Sequence, residues 1–343
     1  GMTRGADGRA AEVSEGRTDV ADPRAPGGRS GCDVSVAAVD EVDAYSATVA
    51  GVRLEAVRTG PGLGPHRVLS LRDDRFLFTA NDIGFPFRST TTIGDEQVAV
   101  ATIIDAPPGS TWCSIDLEPG AVIVYGPGAE HTANNLAGAR VTFAFVDFEQ
   151  MDDLAQRLQA PIAPPPRGEV HQLARSATTC ATATALAELV HADQHLPDQL
   201  SRLRDDAASA LVRALGEEQT VKRIRRSTAI DSRRIVHTCI DYVHATQRIP
   251  SIGELCLTTH VSERTLRQAF ADEFSQAPSR FFRDWALQQA RLRLRTDEPS
   301  RITVSSVAND LGFFHLGRFA GHYRALFGET PSATLRAPTR QVA

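Results

Sequence analysis

Two stretches near the C-terminal end repeat one pattern of apolar residues and turns. The first unit is SIGELCLTTHVSERTLRQAFADEFSQAP, residues 251–278, and the second unit is TVSSVANDLGFFHLGRFAGHYRALFGETP, residues 303–331. Their apolar positions correspond at an offset of 52 residues before the turn and 53 residues after it. A repeat of this kind predicts one supersecondary unit that occurs twice. Each copy has a short helix, a turn, a longer helix and then a proline.

The first unit has the pattern of a helix-turn-helix. Ile252, Leu255 and Cys256 lie on one face of the short helix, and Ser262 is a good N-cap for the longer one. The positions predicted to be buried on the two longer helices are Leu266, Ala269, Phe270 and Phe274, and Phe319, Tyr323 and Phe327. The opposite faces stay free for a partner, and Arg and Gln there suit the guanine and adenine edges of the major groove. Two ordinary helix pairs with polar surfaces are the alternative.

Charge along the chain is uneven. Residues 222–343 carry 19 Lys and Arg against 11 Asp and Glu, a net charge of +8. The other 221 residues carry 18 against 31, a net charge of −13. A basic third attached to an acidic remainder favours contact with a polyanion through the C-terminal part alone.

Residues from about 235 to 336 resemble the DNA-binding domain of the AraC/XylS family of transcription regulators. The matching residues are Leu255, Ser262, Leu266, Phe270, Ala290, Leu294, Val307, Ala308, Gly312, Phe313, Phe319, Tyr323, Arg324, Phe327, Gly328, Pro331, Ser332 and Arg336. The resemblance covers roughly 100 of 343 residues. It implies seven helices, with a long helix at Phe281–Arg295 joining two units that enter successive major grooves. Ala286 departs from the usual arginine, and Ala277 stands where glycine is frequent.

The resemblance also implies which residues contact DNA. Carried over by position, the base-reading candidates are Arg264, Thr265, Arg267 and Gln268 in the first unit and His315, Leu316, Arg318 and His322 in the second. Ser262, Glu263 and Gly317 complete the predicted DNA-binding set.

The chain before these units is predicted to form strands. Short apolar runs alternate with Gly, Pro and Asp turns, and the runs are residues 52–57, 68–71, 76–79, 98–104, 121–125 and 141–146. Many short strands at close spacing favour an antiparallel sandwich or barrel. This part resembles the cupin-like regulatory domain that precedes such a DNA-binding domain. The expected fold class is therefore α+β and multidomain, with a cupin-like β-barrel and helical hairpin before an all-α domain of two helix-turn-helix units.

Five segments are predicted along the chain. They are a disordered N-terminus at 1–30, a cupin-like effector domain at 34–148, a helical dimerisation segment at 149–217, a linker at 218–233 and the DNA-binding domain at 234–337. Helical spacing predicts a hairpin of 169–195 and 199–215. This hairpin either forms the seam of a dimer or packs on the barrel.

The strand-rich part carries one motif with a histidine. Gly120–Asn135 resembles the second cupin motif, with His131 followed by Asn135, but His66 stands alone and no His-x-His occurs. A metal needs several converging ligands, so no metal, cofactor or catalytic residue is predicted. A small barrel can hold one small ligand. The residues predicted to line its pocket are Phe76, Phe78, Trp112, Tyr125 and His131, each of which is otherwise ordinary core.

Composition limits the remaining possibilities. The chain has no apolar run of eighteen residues and no apolar signal segment at its N-terminus, so neither a membrane span nor secretion is expected. The five cysteines are scattered, which predicts a reduced, cytoplasmic protein.

Three functions remain open at this stage. The first is a non-enzymatic, effector-responsive transcription regulator, an activator that binds promoter repeats as a homodimer and contacts RNA polymerase. The second is the same DNA-binding protein with a ligand-free N-terminal domain. The third is a cupin enzyme with an accessory helical domain.

Overall fold

The computed structural model describes residues 33–42, 44–45, 52–72, 76–113, 115–159, 165–175, 177–191, 197–216, 220–224, 229–298 and 301–337. The segment 1–30 that is predicted to be disordered, and Cys32, lie outside these ranges. No helix within them is long and apolar enough to cross a membrane. The thiols of Cys113, Cys180, Cys239 and Cys256 are free of disulfide bonds.

The described part of the N-terminal half is built from strands in two sheets. The strands are β1 (Asp33–Val39), β2 (Arg53–Arg58), β3 (His66–Arg72), β4 (Phe76–Asp82), β5 (Phe87–Thr92), β6 (Gln97–Asp105), β7 (Thr111–Trp112), β8 (Ile115–Asp116), β9 (Val122–Tyr125), β10 (Glu130–Asn135), β11 (Arg140–Asp147), β12 (Val170–Leu173) and β13 (Thr220–Ile224). The larger sheet has the order β1-β3-β4-β11-β6-β9-β12-β13, and the smaller has the order β2-β5-β10-β7-β8. All pairings are antiparallel, which confirms the strand-rich prediction.

One core lies between the two sheets and a second covers the outer face of the larger sheet. Phe87 and Trp112 from the smaller sheet pack with Ile103 and Phe145 from the larger one. Successive residues of a strand point to opposite faces, so Val100 and Ala144 lie on the outer face instead.

Three helices come after β11, with β12 between the first two helices and β13 after the third. They are α1 (Phe148–Leu158), α2 (Ala177–Glu188), which continues into a 3-10 turn at Leu189–His191, and α3 (Pro197–Gly216). Leu186, Ala207 and Leu215 are buried against the outer face of the larger sheet. The hairpin therefore packs on the sheet, which was one of the two alternatives from the sequence. Its role as a dimer seam stays a prediction.

Two predicted segments differ from the observed elements. Residues 170–173 are predicted to be helical but form β12, because β12 lies between β9 and β13 and its backbone bonds to both. Part of the predicted linker is also ordered, since Thr220–Ile224 pairs with β12 as β13. The first helix of the C-terminal part begins at Ala229, several residues before the predicted boundary at 234.

Seven helices make up the C-terminal part within the described residues, as the resemblance implies. They are α4 (Ala229–Thr246), α5 (Ile252–Thr259), α6 (Glu263–Phe274), α7 (Pro278–Thr296), α8 (Val304–Asp310), α9 (Leu316–Phe327) and α10 (Pro331–Arg336). Their apolar stripes meet in one continuous cluster, called here the helical core, and Val57 from β2 of the smaller sheet belongs to it. The joining helix predicted at Phe281–Arg295 lies inside α7.

Candidate nucleic-acid interface

The first unit is formed by α5 and α6, and its sequence determines where each helix begins. Ser251 caps α5 in a capping box, accepting from the Glu254 main chain while the Glu254 side chain accepts from the Ser251 main chain. His260 ends α5 in the left-handed conformation at φ 55°, which a non-glycine residue adopts at some cost. Ser262 then caps α6, its hydroxyl accepting from the Thr265 main chain at 3.2 Å, as predicted. The turn between the helices is thereby fixed at both ends.

The outward face of α6 carries the predicted base-reading residues. The side chains of Ser262, Glu263, Arg264, Thr265, Arg267 and Gln268 are all exposed. Two of them make contacts along the helix, because Arg267 donates to Glu263 at 2.8 and 2.6 Å and Gln268 donates to Asp272 at 2.7 Å. Exposed pairs four residues apart stabilise a helix by about 0.3–0.5 kcal/mol. These contacts orient the side chains of Arg267 and Gln268, and they are weak enough for both side chains to leave them and bind a base.

The second unit repeats this geometry with α8 and α9. Thr303 caps α8 in a second capping box, with Ser306 as its partner. Gly312 follows at φ +90°, a left-handed conformation that glycine adopts freely. The N-cap of α9 is His315, whose side chain makes no capping hydrogen bond. The start of α9 is therefore less well fixed than the start of α6.

The outward face of α9 carries less polar surface than the outward face of α6. His315, Leu316, Gly317, Arg318 and His322 are all exposed. A β-carbon placed on Gly317 or Gly321 would meet no atom within 4 Å, so both glycines leave open space on this face. Partial burial and the nearby Arg283 lower the pKa of His322.

One exposed residue beside this face was missed from the sequence. Phe314 directly precedes the N-cap of α9 and is 83% exposed, and Leu316 is 44% exposed. Of the doublet Phe313-Phe314, Phe313 packs inward against Phe319, with ring centroids 4.9 Å apart, whereas Phe314 faces outward. The extra turn residue of the second unit could have signalled this, because one of two adjacent aromatics must then face outward.

The helix α7 holds the two units together through a buried core. Phe281 and Phe282 contact the ring of Phe270 in the first unit at 5.4 Å each. Ala286 is fully buried there, so the position that usually carries arginine is packed as apolar core. The buried carboxylate of this helix is Asp284 instead, whose pKa burial raises while Arg283, at 3.2 Å, opposes that shift.

The outward faces of α6 and α9, called here the recognition faces, are therefore both open to one macromolecule. The helix between them, α7, is packed in the helical core. Each face presents the N-terminal half of a helix, whose main-chain N–H groups and dipole favour phosphate. Arginine at 264, 267 and 318 adds donors for phosphate or guanine. This arrangement suits the major groove of double-stranded DNA.

The predicted effector pocket is only partly assembled. Tyr125 and His131 lie together, with 2.8 Å between the Tyr125 hydroxyl and His131 Nδ1, and Trp112 packs edge-on against His131 at 4.7 Å. Tyr125 and His131 line a cavity of about 30 Å³, the space of one or two water molecules. Burial lowers the pKa of His131 to about 3, so its ring stays neutral.

Two other predicted pocket residues do not join this group. Phe78 lies on the opposite face of the larger sheet, beneath α2 and α3, because it is offset from the inward-facing Leu77 by one residue. The side chain of Phe76 lies outside the described part of the structure. The described residues contain no group of three His, Cys, Asp or Glu side chains placed to hold a metal ion.

The sheets contact the helical part through arginines. The guanidinium of Arg58 lies 4.5 Å from the ring of Phe85 and 5.4 Å from that of Phe327. Arg291 of α7 pairs with Glu41 at 2.7 Å. Arg88 donates to the Phe274 carbonyl at 2.8 Å, at the C-terminal end of α6. The two halves of the described structure are thus connected next to both recognition helices.

Comparison with known proteins places similarity in this helical part. Residues 255–337 match the model of a helix-turn-helix domain family. Over 103 residues the chain is 34% identical to the probable thc operon regulatory protein of Rhodococcus erythropolis, covering 30% of this chain and 31% of that protein. Over 103 residues it is 36% identical to the XylDLEGF operon transcriptional activator 3 of Pseudomonas putida, covering 30% of each.

A solved structure matches a similar share of the chain. It is a probable AraC family transcriptional regulator from Rhodopseudomonas palustris CGA009, with 34% identity, a TM-score of 0.28 and coverage of 30% of this chain and 95% of that chain. The chain spans about a third of the length of the two operon regulators it matches.

Proposed function

The helix-turn-helix domain of this chain belongs to the AraC/XylS family, and on this premise we propose that the protein is a sequence-specific, DNA-binding transcription regulator. The observation that carries the proposal is the pair of open recognition faces, on α6 and α9, held by one buried helix. They lie in the basic third of the chain, which suits a polyanionic partner. The helix-turn-helix match over residues 255–337 and the 34–36% identity to operon regulators over 103 residues support the same function.

The finer aspects of the proposal follow the family resemblance of the helical part, and one relative is named as a transcriptional activator. The protein acts as an activator through RNA polymerase, binds promoter repeats as a homodimer and responds to a small-molecule effector. The arginine contacts between sheets and helices give an effector a route to the recognition helices, because Arg88 and Arg291 tie the two parts together. An effector can shift the DNA-binding equilibrium only by its differential affinity for the two states.

A ligand-independent regulator is the second candidate. The cavity beside His131 is only about 30 Å³, whereas small-molecule sites usually have about 300–1,000 Å³. This observation favours an N-terminal half that serves dimerisation or partner contact without a ligand in its core.

Selection of bound sequences from a random DNA library, using the full chain, tests the proposal. The expected motif has two blocks whose centres lie about one helical turn, roughly 10 base pairs, apart. Arg264→Ala combined with Arg267→Ala should abolish enrichment of one block. Arg301→Ala removes an exposed arginine outside both recognition faces and is the matched control. Recovery of unenriched DNA from the wild-type chain would overturn the proposal.

A further inference from the structure

A cavity of about 450 Å³ lies between the smaller sheet and the helical part. Its walls come from β2, α4 and α7, and both apolar and polar side chains line it. It is more than ten times the size of the cavity beside His131. Its volume falls within the range of small-molecule sites.

One wall of the cavity is the edge of a sheet. Strand β2 ends the smaller sheet and pairs with β5 on one side. The main-chain N–H of Arg58 donates away from β5, to Gln288 Oε1 at 2.8 Å. Main-chain groups of a strand alternate in direction every residue, so those of Ala56 and Leu54 also point away from β5, toward the cavity. A sheet edge offers donors and acceptors in a row that an extended or planar amide can pair with.

The opposite wall contains aromatic and aliphatic side chains next to the polar side chains of His244, Gln247 and Gln289. Trp285, Phe281 and Phe282 of α7 line it, together with Ile240 and Val243 of α4, and all five are buried. Aromatic rings of this size favour stacking or edge-on contact with another planar ring. The cavity therefore combines aromatic side chains on one wall with the hydrogen-bonding edge of a sheet on the other.

The charged groups of the lining select against an anion. Glu55 is its one carboxylate, and neither lysine nor arginine occurs among its lining residues. His244 is the only basic side chain of the lining and is exposed. An anionic ligand would lose water without gaining a compensating lysine or arginine, which costs binding free energy.

We propose that this cavity binds a neutral bicyclic aromatic carboxamide or lactam. Its amide edge pairs with the main chain of Leu54 and Ala56, and its rings pack on Trp285. The inference deepens the proposed regulatory function, and rests on it, by assigning the effector site and its chemistry. The ligand touches β2 and α7 together, so it acts on the helix that joins the two recognition units.

The first test is calorimetric titration of the full chain at pH 8, where an ordinary histidine is neutral. The probes are 2-naphthamide and 2-naphthoate, which have nearly the same shape and differ in charge and in the N–H donor. We expect 2-naphthamide to bind at least tenfold more tightly. Equal affinity of the two probes, or preference for naphthoate, would overturn the chemical assignment.

A variant pair locates the site. Gln289 is a half-buried lining residue on α7, away from both recognition faces. Gln289→Trp should fill the cavity and weaken naphthamide binding at least tenfold, while Gln289→Ala should keep it within about threefold. DNA affinity without ligand should be unchanged in both. Undiminished naphthamide binding by the Trp variant would place the ligand elsewhere and refute the proposal.

Coupling to DNA completes the test. Binding free energies of two ligands on one protein are reciprocal, so the factor by which naphthamide changes the DNA Kd must equal the factor by which DNA changes the naphthamide Kd. We expect a factor of about 5 or more. Absence of naphthamide binding by a chain that binds its selected DNA would overturn the cavity proposal alone. Absence of DNA binding by the wild type would instead overturn the proposed function.

Discussion

The two helix-turn-helix units have similar residues at their buried positions but different residues on their exposed faces. In the first unit α6 begins at a serine whose hydroxyl caps the helix, and its open face carries Arg264, Arg267 and Gln268. In the second unit α9 begins at a histidine without a capping bond, and Phe314, Leu316 and two glycines lie on or next to its open face. The buried rings are nevertheless equivalent, since Phe274 and Phe327, which are 53 residues apart, are both buried in the helical core.

The difference indicates which positions the fold constrains. A core position must fill a given volume, so both copies keep apolar residues there. A position on the open face is constrained only by the partner that it contacts, so the residues there differ between the two units. We infer that the first unit reads bases mainly through polar groups and the second mainly through shape and apolar contact.

Removing a core ring should have the largest effect and should be the same in both units. Phe274→Ala and Phe327→Ala should each lower the free energy of unfolding by about 3–5 kcal/mol, because each leaves a cavity in the helical core. Urea denaturation followed by circular dichroism measures this. Phe314→Ala is the exposed control and should stay within about 0.5 kcal/mol. A low cost for one of the two core variants would show that the units are not equivalent inside.

Removing one arginine from each recognition face should lower DNA affinity by different amounts in the two units. Arg267→Ala should cost about 1–3 kcal/mol of DNA binding, concentrated at one base position of the selected motif. Arg318→Ala should cost less, with a similar loss across sequences and a salt slope lower by about 1. Fluorescence anisotropy with a set of single-base variants of the site measures both. A uniform loss for Arg267→Ala would make Arg267 a phosphate contact and weaken the contrast.

The helix caps should respond in opposite directions. Ser262→Ala should lower the free energy of unfolding by about 1 kcal/mol, because the Thr265 main-chain N–H loses its acceptor. His315→Asn supplies a cap that α9 lacks and should raise that free energy by up to about 1 kcal/mol. The readout is again urea denaturation. No gain from His315→Asn would mean that the start of α9 is already satisfied in another way.

The apolar contact of the second unit should give the smallest effect. Phe314 and Leu316 suit the methyl group of thymine. Replacing thymine by deoxyuridine opposite this unit should then cost about 0.8 kcal/mol, or roughly fourfold in Kd. Phe314→Ser should bind both DNAs equally. The same replacement opposite the first unit is the control, and an equal loss there would contradict the assignment.

The sequence was most informative where local rules decide the structure. Caps, helical spacing and the repeat located α5, α6, α8 and α9, and Ser262 caps α6 as predicted. Strands formed by short apolar runs between turns were also found, such as β6 and β11. These features depend on neighbours along the chain, which a single sequence contains.

Features that depend on distant partners were not predicted. Strand β5 is rich in Ser and Thr and becomes a strand because β2 and β10 pair with it on both sides. Strand β12 has four residues and is defined by its neighbours β9 and β13. Phe78 was grouped with His131 by residue type, but its face of the sheet follows from register. The cavity between β2 and α7 lies between residues more than 200 positions apart, so no local pattern indicates it.

Val57 belongs to the strand-rich half by sequence, but its side chain is 1% exposed within the helical core. A fragment that starts at Ala229 would therefore lack Val57 and expose the apolar surface of the helical core that Val57 covers. Because of this exposed apolar surface, the fragment should be less soluble than the full chain. Transfer of this DNA-binding module to another protein, whether by recombination in a genome or by design, would therefore require another apolar residue in the place of Val57.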